Sequence, residues 1–336
     1  MAENRPKAQI DRVRDSALTM QVGDESDGAI LSMVSVADKD LYLIKEKSIY
    51  RVFLADEIDP ERTNAAVPNG NQRIAAAGAS SKIVCRSFLT ANALMNVNLF
   101  DKSIERKPIM DLALLVMNEL LAAEKLQNEY LSVEAPALKN VKPIKDRAIA
   151  IPSVDSLSEQ VKSYIQKIEH ASQAIYRFTK LFYDHDSKFF NGFAERVELE
   201  YGSEDEFTKF AVRLAALMLL VRNMRSCIEH PADGQKLEIK NFSLDAKNAL
   251  SNPSIAIVHR DTPQPEMSLN KFFQQLLDGI LNCYEVLMFH LASKHTAPFG
   301  KFEIAVGLIP AGSRRDGVDI QFGYLIKVGN DWNKFG

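Results

Sequence analysis

The sequence has few cysteines and little net charge, and each shortage excludes a class of protein. Its three cysteines are Cys85, Cys227 and Cys283, which are far apart and form no Cys-x-x-Cys pair. This excludes a disulfide scaffold and a thiolate zinc site, and it indicates a reducing compartment. Lys and Arg total 41 against 44 for Asp and Glu, so the net charge is −3. A surface that is basic throughout, as on many nucleic-acid-binding proteins, is therefore excluded.

Long hydrophobic runs are also lacking. The most apolar run, Leu214–Val221, lies between Arg213 and Arg222, so no stretch approaches the roughly 18 apolar residues of a membrane-spanning helix. The segment Met1–Asp15 is polar and lacks the apolar core of a signal peptide. We therefore expect a cytoplasmic protein without a membrane partner. A length of 336 residues suggests about two domains.

The pattern of apolar residues predicts an α+β fold that is mainly α and has three parts. Residues 1–148 are expected to form a mixed α/β domain of unknown role. Within it we predict two or three strands in Ala29–Leu54, then an irregular segment at Ala55–Ser81 and two helices. Residues 149–299 are expected to form a four-helix bundle, and residues 300–336 a C-terminal β-hairpin extension.

The third helix of this bundle has the strongest pattern. Its apolar residues recur at steps of three and four, which predicts a buried seam; they are Phe207, Phe210, Leu214, Leu217, Val221, Met224 and Ile228. Ser-x-x-Glu patterns at Ser156 and Ser203 predict capped starts for the first and third helices. The third helix should end at His230, because Pro231 disfavours helical geometry in the residue before it. A long crossover loop, Ala232–Pro265, then leads to the last helix.

Polar residues with chemical potential cluster at the C-terminal end of the third helix. The cluster consists of Arg222, Asn223, Arg225, Ser226 and His230. An Arg, four intervening residues and a His at the end of a bundle helix resemble the R-x4-6-H motif of HEPN domains. The resemblance covers about Pro152–His295, through the order of the helices as well as the motif.

The resemblance implies a helical bundle that acts as a dimeric, metal-independent ribonuclease, with no cofactor. By the same resemblance, Arg225 and His230 form the catalytic pair. The family often has Asn directly after the Arg, where this chain has Ser226. Arg222 and Asn223 lie one turn earlier, too far from His230 to fit the motif, so which arginine serves stays open.

These residue types also suit RNA cleavage by the substrate's own 2′-hydroxyl. Such cleavage needs a base that titrates near neutral pH, which histidine provides. It also needs a fixed cation for the charge that grows on the phosphate, which an arginine fork matches. We expect Asn223 and Ser226 to orient the phosphate or the histidine. The prediction is an endoribonuclease with RNA as substrate, and the family implies a toxin or antiviral defence effector. Whether a regulatory protein partner restrains it stays open.

Helix geometry predicts a second subunit. At about 100° per residue, Arg225 and His230 lie roughly 140° apart on one helix, so a single helix presents them poorly to one phosphate. A second stripe, formed by Ala216, Leu219, Asn223 and Ser226, lies opposite the buried seam. We expect this stripe to form a symmetric homodimer interface that brings two copies of the motif together.

Other interpretations stay open from the sequence alone. Arg225 and Glu229 are four residues apart and can form a simple ion pair, and His230 can serve only as a helix cap. The chain would then be a non-catalytic helical bundle that binds RNA or a partner protein.

Two further groups of charged residues carry weaker hypotheses. The acidic run Asp56, Glu57 and Asp59 can hold a divalent ion or form a solvated turn. Arg314 and Arg315, in the predicted hairpin turn, can contact a nucleic-acid backbone or keep the sheet edge soluble.

Overall fold

The structure of the protein is a computed structural model. It describes residues 9–16, 20–37, 40–96, 98–139, 143–144, 148–184, 189–246, 249–329 and 331–335. About 49% of the chain is helix and 22% is strand, with several antiparallel sheets, which confirms a mixed fold that is mainly helical. Within the described ranges, no helix is long and apolar enough to cross a membrane.

The chain forms two compact units. The first comprises Met1–Asp111 and His295–Gly336, and the second comprises Leu112–Lys294. This division differs from the predicted boundaries at 148/149 and 299/300. The first unit contains both ends of the chain, and most of one long helix that we assigned to the N-terminal domain lies in the second unit.

The first unit contains a four-stranded antiparallel sheet in the order β1-β2-β3-β4. Its strands are Ile30–Ala37 (β1), Asp40–Lys45 (β2), Ile49–Phe53 (β3) and Gly70–Ala75 (β4). Ala29–Leu54 therefore contains three strands, in agreement with the two or three that were predicted. The predicted irregular segment Ala55–Ser81 is wrong in part, because it contains β4 and a short helix.

Short helices and a second sheet complete the first unit. The helices are Gln9–Arg14 (α1), Ala55–Ile58 (α2), Lys82–Val84 (α3) and Thr90–Leu94 (α4), and a π-helical turn, Cys85–Leu89, joins the last two. The strands Ile304–Leu308 (β12), Phe322–Val328 (β13) and Asp331–Lys334 (β14) form an antiparallel sheet in the order β12-β13-β14. The predicted C-terminal hairpin is confirmed, and it gains a third strand.

The helices of the second unit share an aromatic core. They are Arg106–Lys139 (α5, which begins in the first unit), Leu157–Lys180 (α6), Phe190–Tyr201 (α7), Glu206–Glu229 (α8) and Leu269–Lys294 (α9). The ring of Phe273 on α9 lies 5.3 Å from that of Tyr130 on α5 and 4.3 Å from that of Tyr164 on α6. The hydroxyl of Tyr164 also donates to the Phe273 carbonyl, at 2.6 Å. Burial of these large rings is the main stabilising contribution in this unit.

The segment between α8 and α9 is not the predicted loop. It contains a three-stranded antiparallel sheet in the order β11-β10-β7, with strands Lys236–Lys240 (β7), Ser254–Val258 (β10) and Gln264–Ser268 (β11). The same segment contains a pair of two-residue strands, Ser243–Leu244 (β8) and Leu250–Ser251 (β9). A second such pair, Pro143–Ile144 (β5) and Ala148–Ile149 (β6), lies between α5 and α6. The prediction was wrong because it missed the alternation of charged and apolar residues in β7, which places Leu237 and Ile239 opposite Ile257 and Ile255.

Both predicted capping boxes are wrong. Ser156 precedes α6 but has a left-handed backbone (φ 51°), and its side chain makes no capping hydrogen bond. At α8 the cap is Asp205 rather than Ser203, because the Asp205 carboxylate accepts from the Phe207 amide. That carboxylate also pairs with Lys294 at 2.7 Å, so the start of α8 is fixed to the end of α9. The predicted end of α8 at His230 is confirmed.

Candidate functional site

The C-terminal end of α8 is held in place by a glutamine from the loop that follows it. His230 is the C-cap residue, and its amide donates to the Ser226 carbonyl at 2.9 Å. The side-chain amide of Gln235 donates to the carbonyls of Ser226 (3.1 Å) and His230 (3.0 Å). Carbonyls at a helix end lack intrahelical partners, so these bonds fix the position of the motif.

A solvent-open cleft of about 290 Å³ lies beside this helix end, between α6, α8 and the start of α7. Its lining residues are Glu169, Ser172, Gln173, Tyr176, Phe189, Phe190, Arg222, Arg225, Ser226 and Glu229. Three of the five candidate residues, Arg222, Arg225 and Ser226, therefore share one concave surface. It combines guanidinium groups, carboxylates and aromatic rings.

Arg225 is held between two carboxylates. It bonds Glu169 of α6 and Glu229 of its own helix, each at 2.8 Å. The hydrogen bonds that Arg225 donates to Glu229 and Glu169 raise the pKa of Arg225 above its ordinary value. The predicted ion pair with Glu229 is thus present, and a second partner from another helix is added. About a third of the Arg225 side chain (34%) remains exposed to solvent.

Glu169 is the buried member of this group. Its side chain is only 9% exposed, and one carboxylate oxygen accepts from both Arg225 and Gln173. Among the described residues, the other oxygen has no hydrogen-bond partner. A buried carboxylate is costly unless it is paired, so Arg225 is needed to keep Glu169 in place.

Arg222 is in a different environment. Its guanidinium lies 5.1 Å from the ring centroid of Phe189, which is cation–π distance. The residue is exposed, and within the part of the chain that the structure describes no carboxylate pairs with it. Arg222 is therefore the more accessible cation of the cleft.

His230 lies at the helix end rather than in the cleft wall. The residue is exposed, and among the described residues it does not line the cleft. Its backbone is not helical, with φ −134° and ψ 60°. The 140° separation from Arg225 assumes helical geometry at residue 230, so the argument from that angle for a second subunit does not hold.

The stripe predicted to form a subunit interface is partly covered by the chain itself. Asn223 is 9% exposed, and its side-chain amide donates to the Thr262 hydroxyl, in the turn between β10 and β11. Leu219 and Ser226 are half-buried and Ala216 is exposed. Part of the stripe therefore packs within the unit, and Asn223 is held by this turn rather than aimed into the cleft.

The acidic run in the first unit is neutralised by arginines. Asp56 pairs with Arg14 at 3.2 Å and with Arg62 at 2.7 Å, Asp59 pairs with Arg14 at 3.0 Å, and Glu57 pairs with Arg51 at 2.8 Å. The bonds of Arg14 connect α1 to α2 at Asp56 and to Asp59 just after it, and the bond of Glu57 connects α2 to β3. No group of three His, Cys, Asp or Glu side chains among the described residues is arranged to hold a metal ion.

Six residues of the cleft were missed by the sequence interpretation: Glu169, Ser172, Gln173, Tyr176, Phe189 and Phe190. A signal for Glu169 existed, because it is an acidic residue directly after Ile168 on the apolar face of α6. The other five carry no such signal, since their contribution depends on how α6 and the start of α7 pack against α8.

Comparison with known proteins adds nothing to this geometry. No protein-family model matches the chain, and no curated protein or solved structure matches it.

Proposed function

We propose that the chain binds single-stranded RNA in the cleft between α6, α7 and α8, and that it cleaves the RNA as a HEPN-like endoribonuclease without a metal ion. One observation carries the proposal. Arg222 and Arg225 line one open cleft with Tyr176 and Phe189, at the end of a helix whose last residue is the exposed His230.

The composition of the cleft suits a flexible single strand. Exposed guanidinium groups bind phosphate oxygens in a two-pronged geometry, and aromatic rings stack on unpaired bases. Arg222 is the primary phosphate ligand, because a phosphate does not have to displace a carboxylate from it. Arg225 contacts the phosphate with the part of its side chain that remains exposed.

In the proposed reaction, the His230 imidazole accepts the proton of the ribose 2′-hydroxyl. The 2′-oxygen attacks the adjacent phosphorus, and the bond from phosphorus to the 5′-oxygen of the next nucleotide breaks. The 5′-oxygen takes a proton from solvent water and leaves as a hydroxyl, and the other product ends in a 2′,3′-cyclic phosphate. The arginines stabilise the additional negative charge on the phosphorus centre. We expect the active form to be a homodimer with the α8 ends close together.

A second candidate is a bundle that binds RNA but does not cut it. Two features of the structure favour it: Arg225 is engaged by two carboxylates, and His230 completes a helix cap. Both are the structural roles that compete with catalysis at these positions.

The test is incubation of the purified chain with end-labelled single-stranded RNA, with and without a chelator. We expect fragments ending in cyclic phosphate under both conditions. His230→Ala should slow cleavage at least about 100-fold, the contribution usual for a general base, and Arg222→Ala should weaken RNA binding. His170→Ala is the matched control, because His170 is a half-exposed histidine of α6 that faces Glu119.

The outcomes separate the two candidates. RNA binding without fragments in the wild type supports the non-cutting bundle. Full cleavage by His230→Ala, or loss of wild-type cleavage on adding chelator, refutes the mechanism. Absence of both binding and cleavage refutes the proposed function.

A further inference from the structure

The first unit contains a cavity that the proposed function does not use. It has a volume of about 260 Å³ and lies between the C-terminal sheet, the connection from β12 to β13, and α4. Its lining residues are Ser32, Ala93, Asn96, Ile309, Arg314, Arg315, Val318, Ile320, Gly323, Tyr324, Lys334 and Phe335. All of them belong to the first unit, so the cavity is complete within it.

The floor of the cavity is apolar and rigid. Ile309, Val318 and Tyr324 are 5%, 6% and 3% exposed. The Tyr324 hydroxyl donates to the Leu94 carbonyl at 2.7 Å, which fixes the ring against α4. A floor of this kind takes up flat apolar groups and offers few hydrogen bonds to a sugar.

The rim is cationic. Arg314, Arg315 and Lys334 are exposed, and no Asp or Glu is among the lining residues. Arg314 is oriented by a hydrogen bond from its Nε to the Ile309 carbonyl at 3.1 Å, and it has only a distant carboxylate, Asp319, at 3.9 Å. Among the described residues no ion pair involves Arg315 or Lys334, so positive charge accumulates at the mouth of the cavity.

We propose that this cavity is a binding site for a mononucleotide, with the phosphate at the rim and the base on the floor. The rim has two cations without a carboxylate partner among the described residues, Arg315 and Lys334, and a third, Arg314, that pairs with Asp319 only at 3.9 Å. Such a rim beside a concave surface attracts an anion, and arginine matches phosphate oxygens in particular. The apolar floor with Tyr324 and Phe335 selects a ligand that also carries a flat ring. The volume of about 260 Å³ is slightly below the roughly 300–1,000 Å³ of ordinary ligand pockets, which favours one nucleotide over a dinucleotide.

Sequence and structure support this site independently. The pair Arg314-Arg315 stands out in the sequence as exposed charge in a hairpin turn. The structure adds Lys334, which is distant along the chain, and the apolar floor. Neither observation depends on the RNA cleft, which lies in the second unit.

The site is tested by calorimetric titration of the full chain with three probes: adenosine monophosphate, adenosine and inorganic phosphate. We expect the monophosphate to bind more tightly than either fragment. Arg315→Ala and Lys334→Ala should each weaken its binding about five- to tenfold, as expected for loss of one charged contact to phosphate. Lys301→Ala is the control, because Lys301 is exposed in the same unit and is not among the lining residues.

Each result decides the proposal. Equal affinity for phosphate and the monophosphate refutes the role of the floor, and equal affinity for adenosine and the monophosphate refutes the role of the rim. Absence of monophosphate binding at millimolar concentration, or equal weakening by Lys301→Ala, refutes the site. RNA cleavage is not a readout here, so failure of this site leaves the proposed function untouched.

Discussion

The pairing of Arg225 with Glu169 should contribute more to stability than the pairing of Arg225 with Glu229, although both bonds are 2.8 Å long. The difference lies in burial, because the Glu169 side chain is 9% exposed and that of Glu229 is 42% exposed. Water stabilises Glu229 when its partner is removed, whereas Glu169 keeps only the bond from Gln173. The perturbation we choose is Arg225→Met, which removes the charge and keeps most of the apolar stem.

The expected loss of stability follows from the exposed fractions of these side chains. Breaking a fully buried ion pair lowers the free energy of unfolding by about 3–5 kcal/mol. Because the Arg225 side chain is 34% exposed, we expect a smaller loss of about 1–3 kcal/mol for Arg225→Met. The coupling energy between Arg225 and Glu169 should be about 1–2 kcal/mol. The exposed pair with Glu229, four residues away on the same helix, should give about 0.3–0.5 kcal/mol.

A double-mutant cycle measures both couplings by urea unfolding. One cycle combines Arg225→Met with Glu169→Gln, and the other combines it with Glu229→Gln. Equal coupling energies in the two cycles would show that burial does not decide the strength of these bonds. A coupling below about 0.5 kcal/mol for Glu169 would mean that Arg225 is free to bind a ligand.

Two further predictions concern a histidine of the second unit and an arginine of the first. Burial lowers the pKa of His290 from 6.5 to about 4. The unfolded chain therefore takes up a proton that the folded chain resists, and this contribution to stability, about 2–3 kcal/mol, is full above pH 6.5 and lost as the pH falls towards 4. His290→Gln should make unfolding measurably less pH-dependent between pH 4 and 6.5 than in the wild type, and identical slopes would contradict the assignment. The Arg14 side chain is 4% exposed and pairs with Asp56 and Asp59. Arg14→Ala should therefore lower the free energy of unfolding by about 2–3 kcal/mol and raise the rate of amide hydrogen exchange in α1. An exchange rate in α1 equal to that of the wild type would show that these ion pairs do not hold the helix.

Periodic burial made much of the fold predictable. The structure buries most of the apolar seam predicted for α8: Phe207, Phe210, Leu214, Val221 and Met224 are buried, and Leu217 and Ile228 are half-buried. Capping patterns were less informative about how the helices begin. The hydroxyl of Ser156 is a good cap in principle, but the backbone there is left-handed. At α8 the helix begins at Glu206, so the cap is Asp205, two residues after Ser203.

The site was only partly predictable, for a geometric reason. The cluster on α8 is continuous in sequence, so Arg222, Arg225 and Ser226 could be found from spacing alone. Their partners Glu169 and Phe189 lie on α6 and at the start of α7, and no periodicity in the sequence states which residues of two helices meet. His230 was placed correctly at the helix end, but its direction could not be predicted because the cap residue leaves helical geometry.

The two arginines of the cluster have different surroundings in the structure. A phosphate that binds Arg225 competes with two carboxylates, one of them buried, whereas a phosphate that binds Arg222 competes only with the face of Phe189. A cation–π contact of this kind is worth about 0.5–1 kcal/mol at an exposed site and does not occupy the hydrogen-bond donors of the guanidinium. Arg222 should therefore account for most of the affinity for RNA, and Arg225 should act chiefly by fixing α6 to α8. Arg222→Ala should therefore lower RNA binding without lowering the melting temperature, whereas Arg225→Met should lower the melting temperature and weaken RNA binding less than Arg222→Ala does.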